Sequence, residues 1–146
     1  LYMLGIVEEY CDEYYKANHA QQIDLDTFSI TEADYANFAK MLLDGGVFNG
    51  RRILSEESVR LMATPQVSEE IQPGPARWGL SVRIIVGENR RPVGTYGWSG
   101  AYGTHFWVDP ENKIFAVYLK NSHFDGGSGA KTSAQFERDV YASFEE

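Results

Sequence analysis

The sequence predicts an α+β domain, in which four helices surround an antiparallel meander sheet of three or four strands. Two observations lead to this prediction. Apolar residues recur at three- to four-residue spacing in the first half of the chain and near its end, whereas residues 78–120 are rich in β-branched and aromatic residues broken by short turn-forming segments. We therefore expect amino- and carboxy-terminal helices packed on one sheet, all within a single domain spanning residues 1–146.

Three helices are predicted before the sheet. The first, over residues 2–18, is amphipathic, with an apolar face of Leu4, Val7, Cys11 and Tyr14. The second starts after Thr31, which fits a capping box with Asp34, and it ends at Gly45-Gly46. Its predicted buried residues are Tyr35, Phe38, Leu42 and Leu43. Asn49-Gly50 then indicates a tight turn, and Ser55 caps a short third helix that Pro65 ends.

The second half of the chain is predicted to form the sheet and a last helix. The predicted strands are Trp78–Val86, Val93–Trp98, Ala101–Val108 and Lys113–Lys120. Their connections are too short for parallel crossovers, so neighbouring strands should be antiparallel. After the glycine-rich joint at residues 126–129, the spacing of Phe136, Val140, Tyr141 and Phe144 predicts a helix that covers one face of the sheet.

Composition excludes several classes of function. The net charge is -8, and no cluster of basic residues exceeds the pairs Arg51-Arg52 and Arg90-Arg91, so nucleic-acid binding is not expected. No apolar run is long enough to span a bilayer. The three histidines are scattered and the one cysteine has no partner, so we expect no metal and no other cofactor. Leu1 in place of Met suggests a trimmed product, which leaves the compartment open.

A segment with four glycines among aromatic residues, Gly94 to Thr104, is the strongest local signal of a site. Glycine is unfavourable inside a strand, so its repetition indicates close approach of either a ligand or another stretch of backbone. Both interpretations remain open from composition alone.

Two strings match nucleophile motifs of serine hydrolases. Ser128 and Lys131 fit Ser-x-x-Lys, in which the lysine takes the proton of the serine, but this serine lies in a glycine-rich joint, where a linker is the better interpretation. Tyr35-Ala36-Asn37 fits Tyr-x-Asn, but its tyrosine lies at a core-facing helical position, so we interpret the match as chance. His105 alternates with Phe106 along a strand and is expected to be a satisfied polar residue rather than a base.

Three stretches in fixed order carry a resemblance to a known family: Thr31 to Gly46, Asn49 to Met62, and Gly97 to Asn112. Together they are similar to the serine β-lactamase family in its broad sense, which includes class C β-lactamases, penicillin-binding carboxypeptidases and related esterases. The third stretch looks like the strand that carries the third active-site box of that family. The resemblance therefore implies a partial β-lactamase/transpeptidase-like fold and acyl transfer from an ester, amide or β-lactam.

The resemblance also implies where substrate would lie. The nearest equivalents of the third box are Trp98-Ser99-Gly100 or, shifted along the strand, Thr95-Tyr96-Gly97. Neither contains the cation that would hold a substrate carboxylate, which favours neutral esters or amides. A backbone N–H of Trp98 or Ala101 is expected to complete an oxyanion hole. The residues implied as substrate-binding are Thr95, Tyr96, Gly97, Trp98, Ser99, Gly100, Ala101 and Tyr102.

The chain also departs from the pattern of the family. It has no convincing Ser-x-x-Lys and no credible Tyr-x-Asn, so residues 25–146 are expected to be the carboxy-terminal lobe of such a hydrolase, inactive alone, and residues 1–24 a helix of uncertain origin. A small-molecule ester, amide or lactam is then a partner only when the missing lobe is supplied. The alternative is a non-catalytic module that binds a partner or self-associates through the exposed cleft wall.

Overall fold

The computed structural model describes residues 31–120 and 131–144 of the chain. These residues belong to a compact unit, Thr31–Glu146. The predicted first helix and Ser128 lie outside the described residues. None of the described helices is long and apolar enough to cross a membrane.

Helix α1, Glu32–Leu43, begins at the predicted capping box. The hydroxyl of Thr31 accepts a hydrogen bond from the Asp34 amide at 3.2 Å, and the Asp34 carboxylate accepts one from the Thr31 amide at 3.0 Å. The helix ends where Gly45 and Gly46 adopt positive φ angles of 62° and 92°, which an L side chain disfavours. The capping prediction is confirmed at both ends of this helix.

A small antiparallel ribbon and a short helix follow α1. Strands β1, Val47–Phe48, and β2, Arg51–Arg52, pair across the turn at Asn49-Gly50, where both residues have positive φ. Helix α2, Glu56–Met62, is capped by the Ser55 hydroxyl, which accepts from the Ser58 amide at 2.9 Å. The predicted turn at Asn49-Gly50 and the predicted cap at Ser55 are therefore confirmed.

Five antiparallel strands form the main sheet, in the order β3-β4-β5-β6-β7. They are β3 Ala76–Trp78, β4 Arg83–Ile85, β5 Tyr96–Ser99, β6 His105–Asp109 and β7 Ile114–Tyr118. The antiparallel meander is confirmed, with one strand more than expected. The predicted strand Trp78–Val86 is in fact two strands, because the chain reverses between them with Ser81 at a φ of 65°.

The sheet is covered on both faces. Tyr96, Phe106 and Val108 point towards α1 and pack with Ala39 and Leu42 in the main core. On the other face lies helix α3, Lys131–Ala142, whose Phe136 ring is 5.6 Å from that of Trp107. All five residues of β6 are therefore buried. Two predicted core side chains are exposed instead, Phe38 by 38% and Phe144 by 67%.

Candidate functional site

The turn between β5 and β6 shapes the end of the sheet where the glycine-rich segment lies. Gly100 N donates to Thr104 O at 2.8 Å, and Gly103 N donates to Gly100 O at 3.0 Å, which closes a tight loop. Ala101 and Tyr102 lie exposed at its tip, and the backbone N–H of Ala101 donates to no acceptor in the described part of the chain. This turn also sets Ser99 directly opposite His105 across the sheet.

A chain of hydrogen bonds runs from Ser99 through His105 to Glu137 on helix α3. Ser99 Oγ and His105 Nδ1 are 2.7 Å apart, and His105 Nε2 lies 2.8 Å from Glu137 Oε1. His105 and Glu137 are buried, with 6% and 2% exposure, whereas Ser99 is only half-buried. We call these three residues the Ser99 relay.

Two arginines of the loop between β4 and β5 contact the carboxylate of Glu137, the last residue of the relay. Arg90 Nε donates to Glu137 Oε2 at 2.9 Å, and Arg91 Nε lies 3.3 Å from Glu137 Oε1. Burial raises the pKa of the Glu137 carboxyl, but the hydrogen bond from His105 and the two arginines outweigh it, so that its pKa is lowered overall. Glu137 is therefore a carboxylate at neutral pH.

A cavity of about 280 Å³ opens beside the relay on the α3 face of the sheet. Its walls come from β3, β4, β5, β6, the β4–β5 loop and α3. The polar side chains that line it are Arg83, Asn89, Arg90, Arg91, Ser99, His105, Ser133 and Glu137. Three arginines thus face one carboxylate, so the cavity is locally cationic within a chain of net charge -8.

The structure separates the predicted substrate-binding residues into three groups. Gly97, Trp98 and Ser99 line the cavity, and Gly100, Ala101 and Tyr102 form the adjoining turn. Thr95 and Tyr96 are almost fully buried, and Tyr96 directs its hydroxyl to Leu42 O at 3.4 Å. Burial raises the pKa of Tyr96 to about 12. That the predicted residues bind substrate stays a prediction. The exposed end of β5 is better placed to contact a substrate than Thr95-Tyr96.

Gly97 has a structural reason to be glycine. A Cβ at this position would lie 2.0 Å from Phe106 O and 2.7 Å from Trp107 Cα, on the backbone of the neighbouring strand. Of the two interpretations of the glycine-rich segment, approach of another backbone is the one that holds at Gly97.

The remaining candidates are placed as follows. Lys131 is the first residue of α3 and is exposed, and its proposed partner Ser128 is not among the described residues. Tyr35 packs edge-on against Phe106, with ring centroids 5.1 Å apart, as expected of a core-facing tyrosine. Within the described ranges, no three histidine, cysteine or acidic side chains converge on a point where a metal ion would bind.

Sequence reasoning missed Glu137, which is the acid of the relay. The helix prediction was based on the apolar residues Phe136 and Tyr141, and an acid beside them is normally assigned to the solvent face. Arg90 and Arg91 were noted only as a basic pair. The sequence did hold one signal. His105 follows Ser99 after a short turn, and a histidine that is buried beside a serine needs a second hydrogen-bond partner for its other ring nitrogen.

Comparison of sequences adds a family and its relatives. The family model described as Beta-lactamase matches residues 14–137. Protein Rv1367c of Mycobacterium tuberculosis strain H37Rv is 36% identical over 105 residues, as is the uncharacterized protein MT1414 of strain CDC 1551. The match covers 61% of this chain but 26% of either relative, so the chain spans about a quarter of the length of these proteins.

Comparison with solved structures supports the same fold. EstCE1, a hydrolase with promiscuous acyltransferase activity, matches with a TM-score of 0.62 and 26% identity over 75% of this chain and 29% of its own. A penicillin-binding protein homologue from Caulobacter crescentus matches with a TM-score of 0.60 and 20% identity over 73% of this chain and 30% of its own. A putative 6-aminohexanoate-dimer hydrolase from Bacillus anthracis matches with a TM-score of 0.58 and 24% identity over 79% of this chain and 29% of its own. With its antiparallel sheet packed by helices on both faces and a family match over most of its length, the chain belongs to the beta-lactamase family.

Proposed function

We propose that residues 25–146 are the carboxy-terminal lobe of a serine hydrolase of this family and supply one wall of an acyl-transfer cleft. Trp98-Ser99-Gly100 takes the place of the third active-site box. The substrate is an ester, amide or lactam, and the nucleophilic serine with its lysine base comes from a part of the protein other than this chain. The match to about a quarter of each M. tuberculosis relative supports this arrangement, because it leaves room for a second lobe.

The main support is the exposed end of β5 and the turn after it. Ser99 is half-buried beside a cavity, and the turn presents the Ala101 N–H with no acceptor among the described residues. An unengaged backbone N–H on a rigid, hydrogen-bonded turn can stabilise the oxyanion of an acyl-transfer intermediate without reorganisation. A lobe with these groups and no activated serine contacts substrate but does not turn it over.

Mass spectrometry of the intact chain tests this proposal. After incubation with a penicillin and, separately, with a fluorophosphonate probe, we expect no adduct, while circular dichroism shows a folded protein. A stoichiometric adduct that Ser128→Ala abolishes would mean that the chain carries its own nucleophile and would overturn the proposal. Lys131→Ala serves as the matched variant, since it removes the base of the same motif.

A non-catalytic module is the second candidate, favoured by apolar side chains exposed at the cleft wall. Trp98 is 37% exposed and packs against Trp78 with ring centroids 4.7 Å apart, and Tyr102 is 48% exposed. Such a surface favours self-association or a protein partner. Light scattering over a hundredfold range of concentration discriminates the two: mass that rises with concentration supports the module, and a constant monomer counts against it.

A further inference from the structure

We propose that the buried His105–Glu137 pair fixes Ser99 Oγ as a hydrogen-bond acceptor towards the cavity, and that the cavity thereby selects an amide group over an ester. The amide N–H donates to Ser99 Oγ, and its carbonyl lies towards the arginines that line the cavity. This inference deepens the proposed function and rests on it in one respect, that the cavity is taken as part of the substrate cleft.

Glu137 determines which ring nitrogen of His105 carries a proton. Glu137 is a buried carboxylate beside Arg90 and Arg91, and a carboxylate only accepts hydrogen bonds. The 2.8 Å contact from Glu137 Oε1 to His105 Nε2 therefore requires a proton on Nε2. In a neutral imidazole the other nitrogen, Nδ1, is then an acceptor.

The hydroxyl proton of Ser99 is donated to His105 Nδ1. Ser99 Oγ lies 2.7 Å from His105 Nδ1, so the hydroxyl donates its single proton to the ring. What the hydroxyl presents to the cavity is its lone pairs. A ligand that meets Ser99 must therefore bring a donor.

The arginines of the lining supply the complementary groups. Arg83 and Arg90 line the cavity and are exposed, whereas the side chain of Arg91 is only 13% exposed and its Nε is buried. A guanidinium group only donates hydrogen bonds, so the carbonyl oxygen of a ligand meets donors on this side of the cavity. The lining thus offers the Ser99 Oγ acceptor beside arginine donors.

An amide matches this pair of groups, and its ester analogue does not. A secondary amide carries one N–H donor and one carbonyl acceptor, whereas an ester has acceptors only and would set its own oxygen against the lone pairs of Ser99. The arginines also attract carboxylates whatever the state of Ser99, so neutral ligands give the decisive comparison. The volume of about 280 Å³ lies at the small end of ligand pockets and suits a short fragment.

Nuclear magnetic resonance of the chain at pH 8 tests both steps. Nitrogen-15 shifts of the His105 ring report the tautomer, and backbone amide shifts of Gly97 and Ser99 follow titration with N-methylacetamide or methyl acetate. We expect a proton on Nε2, none on Nδ1, and about fivefold tighter binding of the amide, which is the size of one net hydrogen bond. A proton on Nδ1, or equal binding of the two ligands, would overturn the inference.

Glu137→Gln is the variant that reverses the relay. Arg90 only donates and lies against Oε2, so the carbonyl oxygen of the new side chain takes that position, and the NH₂ at the Oε1 position donates to His105 Nε2. The ring proton then moves to Nδ1, the Ser99 proton is freed, and the preference for the amide is lost. A preference that survives this change contradicts the mechanism.

Two further variants keep the test independent of folding defects at position 137. Ser99→Ala removes the acceptor and should abolish the preference while the tautomer stays the same. Glu111→Gln removes an exposed carboxylate between β6 and β7 and should change neither measurement. Neither readout needs a nucleophile, so a penicillin adduct would sink the proposed function alone, and equal binding of the two ligands would sink this inference alone.

Discussion

Glu137 Oε1 lies 2.8 Å from His105 Nε2, although 32 residues separate the two along the chain. The residues of α3 that are fully buried are Ser133 and Glu137, so a polar contact lies at the centre of the helix–sheet interface, flanked by the aromatic packing of Phe136 on Trp107. The same carboxylate accepts a hydrogen bond from Arg90 of the β4–β5 loop. One acid therefore connects a helix, a strand and a loop around the cavity.

Replacing Glu137 by alanine should destabilise the domain by about 3 kcal/mol, because it leaves Arg91 and His105 buried without their shared partner. Urea unfolding at pH 7 measures this change as a lower midpoint with an unchanged slope. Glu111→Ala, at an exposed position, is the control and should stay within about 0.5 kcal/mol of the parent chain. Equal effects of the two substitutions would show that the relay contributes nothing to stability.

Acid should weaken the contribution of Glu137 to stability. Its pKa in the folded chain is below the ordinary value of 4.5, so the folded state binds this proton less readily than the unfolded state. The contribution is complete above that ordinary value and is lost as the pH falls through the folded pKa. We expect the stability difference between the parent chain and Glu137→Gln to shrink between about pH 5 and pH 3.

The comparison with Glu137→Gln isolates this one carboxyl. Asp34 and Glu57 also have lowered pKa values, through their hydrogen bonds with Thr31 and Arg60, but they are present in both proteins and cancel in the difference. Urea midpoints measured at half-unit pH intervals give the curve. A difference that stays constant across this window would contradict the lowered pKa of Glu137.

The fold was largely predictable because its signals are local. The Thr31–Asp34 cap, the Gly45-Gly46 stop and the Asn49-Gly50 turn each depend on residues a few positions apart. The reversal after Trp78 was missed because it depends on Ser81 at positive φ, a conformation that is uncommon for any residue except glycine. Local chemistry did not distinguish it from a continuous strand.

The candidate site was predictable only in part, because its residues come from distant segments. The sequence indicated the β5 end, with Trp98, Ser99 and Gly100, and the short turn that follows. It did not indicate that Glu137 and Arg91 would meet there, since that contact depends on how α3 lies across the sheet. Burial of polar residues on an amphipathic helix is decided by tertiary packing.

Gly97→Ala should destabilise the domain by about 3 kcal/mol, the upper range for overpacking, because the new Cβ would lie 2.0 Å from Phe106 O on the next strand. Thermal unfolding followed by circular dichroism measures the loss. Gly87→Ala is the matched control, since its Cβ would meet nothing closer than Pro75 Cα at 3.5 Å. If Gly97→Ala unfolded at the same temperature as Gly87→Ala, close approach of the neighbouring backbone would not explain why position 97 is glycine.

Tyr141→Phe should cost about 1–2 kcal/mol, because the hydroxyl of Tyr141 accepts from Trp107 Nε1 at 3.2 Å and donates to Asp109 Oδ2 at 3.0 Å. Trp107 is fully buried, so its N–H is left without an acceptor, whereas Asp109 keeps its bonds to Asn112. Burial, together with the bond to Asp109 and its charge, raises the pKa of Tyr141 to about 12, so the hydroxyl stays a donor at any working pH.

Tyr118→Phe provides the control for this substitution. Tyr118 packs against Phe136 of α3, with ring centroids 5.5 Å apart, but its hydroxyl has no hydrogen-bond partner among the described residues. Its removal should change stability by less than about 0.5 kcal/mol in the same urea titration. If the two substitutions had equal effects, the loss would reflect the packing of α3 in general, and the Trp107–Tyr141–Asp109 hydrogen bonds would contribute no stability of their own.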